Sequence, residues 1–140
     1  MKSAPVSDSM ASIFSRIIKG EIPCYKVAED AEHLAFLDIQ PLATGHVLVI
    51  PKVEVDYIFD LAADDYSGLW NFARKVAGGL KQAVPCKRVG VAVIGLEVPH
   101  AHIHLIPLQT MEDINFSGVR LKPVGPELEE LRQKIASCIV

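Results

Sequence analysis

Residues 99–107 read Pro-His-Ala-His-Ile-His-Leu-Ile-Pro, which places three of the chain's five histidines at alternate positions, His100, His102 and His104. No other feature constrains the fold as tightly. On a strand, side chains two residues apart share one face at a spacing of about 6.5–7 Å. The pattern therefore predicts a strand over 100–105, with the three imidazoles on one surface and Ala101, Ile103 and Leu105 packed into the other. Imidazole suits a core poorly, because both ring nitrogens need hydrogen-bond partners. A row of three points to chemistry, and two kinds of chemistry use one. In the first, the middle imidazole holds its Nδ1–H on a backbone carbonyl and attacks phosphorus through Nε2, while its neighbours bind phosphoryl oxygens. In the second, two of the three ligate zinc. The plainer alternative is a solvated strand that carries histidines without using them.

The rest of the chain predicts one α+β domain built around this strand. Ser12 is placed to cap a short helix over 13–19, ended by Gly20 and Pro23. Strands are expected over 24–28, 34–39, 46–50 and 89–94, separated by turn signals. The longest helix opens at Asp64 or Asp65 and carries Leu69, Phe72, Val76 and Leu80 at helical spacing, weakened at Gly78-Gly79 and stopped by Pro85. A last helix is expected over about 126–137. Short strands and tight turns imply an antiparallel sheet with flanking helices gathered on one side. Residues 1–11 read as a loose segment, 12–110 as the domain and 111–140 as a C-terminal extension ending in a helix.

Composition narrows the function. The 140 residues are 50% hydrophobic and 22% charged with a net charge of −3, so neither a disordered chain nor a general nucleic-acid binder is expected. No apolar run reaches the roughly 18 residues of a membrane span. Three scattered cysteines (Cys24, Cys86, Cys138) do not suggest a secreted disulfide framework, and the first residues lack the apolar stretch of a signal peptide. A cytoplasmic protein is expected, with no nucleic-acid or membrane partner.

The segment His100-Ala101-His102-Ile103-His104-Leu105-Ile106 resembles the signature of the histidine triad family of nucleotide hydrolases and transferases. Three further blocks resemble that family in order and spacing: residues 12–23 (SIFSRIIKGEIP), 34–41 (LAFLDIQP) and 45–52 (GHVLVIPK). The resemblance implies a histidine-triad-like sheet and hydrolysis of a purine nucleotide at the α-phosphorus, with no metal or other cofactor. It implies His102 as nucleophile, His104 as the contact to the α-phosphate, and His100 and His46 as supports beneath them. Asp38 falls where the family binds the ribose hydroxyls, and Ile13, Phe14, Ile17, Ile22 and Phe36 fall on the slot that holds the base. A homodimer is implied as well. Alternatives are a nucleotide-binding module with weak catalysis and a metal-binding protein that uses the histidine row.

Two departures from the family pattern carry expectations of their own. Ser12, Ser15 and Glu54 stand where many bacterial members have two cysteines and a histidine on zinc, and hydroxyls are poor zinc ligands, so that zinc is expected to be absent. The loop before the triad is shortened to Val93-Ile94-Gly95-Leu96-Glu97-Val98-Pro99, without the family's usual Asn, Gln and hydroxyl residue. Glu97 is therefore expected to face the leaving-group side. There it either repels a polyphosphate or acts as an acid towards a small leaving group.

Overall fold

The computed structural model describes residues 12–139; the segment read as loose, 1–11, lies outside the described residues. Ser12 caps α1 (Ile13–Ile18), its Oγ accepting the Ser15 N–H at 3.0 Å. Five strands follow the turn signals closely: β1 (Lys26–Glu29), β2 (His33–Leu37), β3 (Val47–Pro51), β4 (Arg88–Ala92) and β5 (Ile103–Leu108). They form one sheet in the order β1-β2-β3-β5-β4, with every neighbouring pair antiparallel. The α+β architecture is the expected one.

Every residue of β2 and β3 is buried, so the centre of the sheet needs cover on both faces. On one face Ala35, Leu37, Val47, Val49, Ile103 and Leu105 meet α2 (Ala63–Ala83) and α3 (Gly125–Cys138), which contribute Leu69, Val76, Leu80, Leu128 and Ile135. On the other, Leu34, Phe36, Leu48 and Ile50 pack against Phe14 of α1. The helices are thus not gathered on one side: the two long ones cover one face and α1 the other. Apolar residues at both even and odd positions of β2 and β3 are the physical reason. No helix among the described residues is long and apolar enough to cross a membrane.

Two glycines read from sequence as turn or weakness have more exact uses. Helix α2 runs unbroken through Gly78-Gly79, and a Cβ on Gly79 would lie 2.5 Å from Ile139 Cγ1 and 3.0 Å from the Cys138 carbonyl carbon. The missing side chain lets the end of α3 lie against α2. Gly45 has φ +93°, and a Cβ there would stand 3.1 Å from both Pro107 Cγ and Val84 Cγ2. Gly45→Ala is expected to cost roughly 1–3 kcal/mol in chemical denaturation, since it combines left-handed backbone strain with overpacking. It would also displace the adjacent His46.

Strand β5 begins at Ile103, so His100 and His102 precede the hydrogen-bonded ladder rather than sitting in it. Pro99 lacks an N–H, the His100 N–H turns back to the Val98 carbonyl at 2.8 Å, and the Ala101 N–H bonds the Val55 carbonyl at 2.7 Å. The alternation survives this. Ala101, Ile103 and Leu105 all enter the core beneath the helices, and the imidazoles lie on the α1 side.

Candidate active site

The hydrogen bonds of the histidines assign their tautomers in sequence. Leu42 N–H donates to His46 Nδ1 at 3.0 Å, so His46 carries its proton on Nε2. That Nε2–H lies 2.9 Å from His104 Nδ1, which must therefore accept, leaving the His104 proton on Nε2. His104 thus offers a donor. His102 is the opposite case: its Nδ1–H donates to the His100 carbonyl at 2.7 Å, leaving the Nε2 lone pair unprotonated. Phe14 packs edge-on against this ring at a centroid distance of 5.1 Å, which restrains its rotation. A lone pair and a donor consequently sit on neighbouring rings 4.9 Å apart.

His46 and His100 are both completely buried, at 0% exposure. His100 donates from Nε2 to the Pro51 carbonyl at 2.7 Å, and its Nδ1 accepts from the Ser12 hydroxyl at 3.0 Å. Burial is the main reason these rings stay neutral. It pushes His46 down to about 3, reinforced by His104 and Arg120, and pushes His104 down to about 4, reinforced by His102 and Arg120. His100 is lowered chiefly by burial as well, against the opposing pull of the Pro51 carbonyl and Glu54.

Ser12, Ser15 and Glu54 converge on His100. Glu54 Oε1 accepts the Ser12 N–H and the Ser15 hydroxyl, each at 2.7 Å. Burial alone would raise the Glu54 carboxyl, but these serine hydrogen bonds outweigh it and hold the group below its ordinary value. The three residues that replace the family's zinc ligands therefore spend their donors and lone pairs on one another and on His100. They tie the start of α1 to the base of the triad.

The zinc alternative for the histidine row meets the same accounting. Among the described residues, the uncommitted triad nitrogens are Nε2 of His102 and Nε2 of His104. Ligation through both would force His104 to give up the proton that His46 imposes on it. Asp38, His46 and His104 also place ligand atoms within 4.8 Å of one another, but the two imidazole atoms there already share a hydrogen bond.

Of the expected slot residues, Phe14 and Phe36 are buried and meet edge-to-face at 5.5 Å, with Ile17 partly buried beside them. Ile22 is half-buried, and Ile13 is 49% exposed at the outer side of α1. Asp38 follows β2 and turns its carboxylate towards the cluster, with Oδ1 accepting the Gln40 N–H at 2.8 Å and Oδ2 3.8 Å from His46 Nε2. Burial, the leading effect, holds this carboxyl above its ordinary value, and Glu97 adds to it against Gln40, Arg120 and His102. Glu97 is exposed in the bend before the triad, within electrostatic reach of Asp38.

The site also contains two residues that the sequence reading missed, both from the segment after β5. Phe116 packs edge-on against His104 at 4.8 Å, and Arg120 lies 5.6 Å above the Phe116 ring with Nη1 3.7 Å from Asp38 Oδ2. Nothing in the composition or periodicity of 111–124 marks them, because their role depends on a chain reversal through the turn at Asn115–Gly118.

An antiparallel sheet that presents a carbonyl-tethered imidazole beside a donor imidazole is the arrangement expected of the histidine triad class. Comparison with known proteins agrees. The HIT domain family model matches residues 19–111. The adenosine 5'-monophosphoramidase hnt1 of Schizosaccharomyces pombe is 35% identical over 136 residues, covering 93% of this chain and 99% of that protein. The adenosine 5'-monophosphoramidase HNT1 of Saccharomyces cerevisiae is 38% identical over 106 residues, covering 75% and 67%. A HIT-like protein from Bartonella henselae superposes with a TM-score of 0.77 at 31% identity, covering 91% of this chain and 95% of that one. The chain belongs to the HIT family, and it is a hydrolase of that family's type.

Proposed function

We propose that the protein hydrolyses a purine nucleotide at its α-phosphorus through a covalent nucleotidyl-His102 intermediate. The observation that carries this reading is the 2.7 Å contact between His102 Nδ1 and the His100 carbonyl, which leaves Nε2 as the nucleophile. In the first step Nε2 bonds to phosphorus, the bond to the leaving group breaks, and a leaving amine departs with a proton taken from solvent, which the attacking water returns to solvent in the second step. In the second, water attacks phosphorus, the P–Nε2 bond breaks, and the nucleoside monophosphate is released. Splitting the displacement lowers each barrier. His104 Nε2–H donates to an α-phosphoryl oxygen, and His46 and His100 hold the two working rings from below. Asp38 accepts the ribose hydroxyls, and Ile13, Phe14, Ile17, Ile22 and Phe36 line the slot for the base.

The similarity to adenosine 5'-monophosphoramidases favours an amidate as substrate. Rapid quenching with adenosine 5'-phosphoramidate, followed by intact mass spectrometry, tests the reading. A gain of one adenylyl group on the wild type is expected; nucleotide binding with neither adduct nor released AMP would favour a binding module. We infer a homodimer as well: β4 is a sheet edge with Val91 exposed, an edge that a second copy would cover. Light scattering at twice the monomer mass is the expected result.

Glu97 sets the leaving-group preference in this scheme. Placed in an exposed bend before the triad, it repels a second nucleotide, so Glu97→Gln is expected to raise hydrolysis of dinucleoside polyphosphates by several-fold and leave simple amidates unchanged. Slower amidate hydrolysis, with loss of an ionisation from the pH–rate profile, would instead mark it as the acid. Steady-state kinetics on both substrate classes across pH decide between them.

A further inference from the structure

The segment between β5 and α3 is tied over the histidines at several points. The Leu121 N–H bonds the Pro41 carbonyl at 2.9 Å, and Arg120 Nη1 bonds the Gln40 carbonyl at the same distance. Phe116 lies under the guanidinium and against His104. These contacts grip the turn 38–41 that carries Asp38. His46 and His104 bring no charge to this corner, since burial keeps them neutral. An exposed carboxylate, Glu97, lies within electrostatic reach of Asp38. A half-buried carboxylate with a second acid in electrostatic reach is steadied by the guanidinium 3.7 Å away.

We propose that Arg120 is a positioning residue for the nucleotide's ribose: clamped between Gln40 and Phe116, it holds the Asp38 carboxylate in the orientation that accepts the ribose hydroxyls. The inference rests on the role given to Asp38 above. Arg120 acts through Asp38 and through the turn, not on the phosphate. The geometry suits an arginine, because its planar fork can hydrogen-bond a carbonyl, face a carboxylate and stack on an aromatic ring at once. The groups facing Asp38 from the surrounding elements are the Gln40 N–H and His46 from its own turn, His102 from the triad segment, Glu97 from the shortened loop and Arg120. Arg120 is the permanently cationic one.

The test uses the full-length protein with adenosine 5'-phosphoramidate and its 2',3'-dideoxy analogue. In the wild type the dideoxy substrate is expected to show a KM at least about tenfold higher, the size of one or two lost hydrogen bonds to a charged acceptor. Arg120→Gln is expected to raise KM about tenfold for the ribose substrate, with kcat within threefold, and to leave the dideoxy KM unchanged. The ribose KM of this variant should also improve as pH rises, and over a higher pH range than in the wild type, because Asp38 must then lose its proton without help. Arg120→Lys should recover part of the affinity and flatten that pH dependence, which a purely structural role would not predict. If Arg120→Gln weakens both substrates equally, Arg120 acts elsewhere and the inference fails while the reading of Asp38 stands. If the wild type does not distinguish the two substrates, the reading of Asp38 fails and takes the inference with it.

Discussion

Replacing His102 with alanine is expected to lower turnover of an adenosine phosphoramidate on the order of 10⁴-fold or more, while AMP binding changes by less than about tenfold. The asymmetry follows from geometry. The ring contributes one lone pair, fixed by the His100 carbonyl at 2.7 Å, and the donors and apolar slot proposed to bind nucleotide belong to other residues. Removing a nucleophile eliminates the two-step route altogether, so its loss exceeds that of any single binding contact. His104→Ala should differ in kind. It removes the donor that His46 aligns at 2.9 Å, so it weakens binding and turnover together. Isothermal titration with AMP and initial-rate kinetics on the same preparations separate the two. Wild-type turnover in His102→Ala would exclude covalent catalysis at this residue.

The second large effect is expected in acid. His46 and His104 are held neutral in the fold, down to about 3 and about 4, against an ordinary value of 6.5. The unfolded chain therefore binds more protons than the folded one below 6.5, and stability falls as pH drops through that window towards the folded values. Each histidine contributes up to about 1.4 kcal/mol per pH unit, so the pair contributes roughly 3. His100, lowered in the same direction, steepens the loss. Taken down to the folded values the loss approaches about 8 kcal/mol, a large part of a total stability of about 5–15 kcal/mol. Urea denaturation at half-unit steps from pH 7 to 4.5 should show the slope. His104→Asn, which cannot titrate, should flatten it even if the variant is less stable at pH 7; an unchanged slope would show that the buried rings are not its source.

Much of this was legible in the chain because the relevant signals are local. Short apolar runs between turn signals mark β2 and β3, and Leu69, Phe72, Val76 and Leu80 mark α2; the His-x-His-x-His row faces one way because Ala101, Ile103 and Leu105 must face the other. What was hidden depends on distant partners. The start of β5 was misplaced by three residues because the Ala101 N–H finds the Val55 carbonyl rather than a neighbouring strand. The positions of Ser12, Ser15 and Glu54 mark a departure from the resemblance, but that they brace His100 is visible only once α1 lies across the sheet. Arg120 and Phe116 gave no local sign at all, since a lone arginine and a lone aromatic in a polar segment are ordinary surface residues.

The central claim is a double displacement at the α-phosphorus on His102, and its most direct test is stereochemical. An adenosine phosphoramidate analogue made chiral at phosphorus by a single sulfur substitution, hydrolysed in isotopically labelled water, yields a product whose configuration can be read by phosphorus NMR. Two in-line steps, one by His102 Nε2 and one by water, each invert the centre. Net retention is the predicted result. Net inversion would mean a single direct attack by water and would contradict the covalent route.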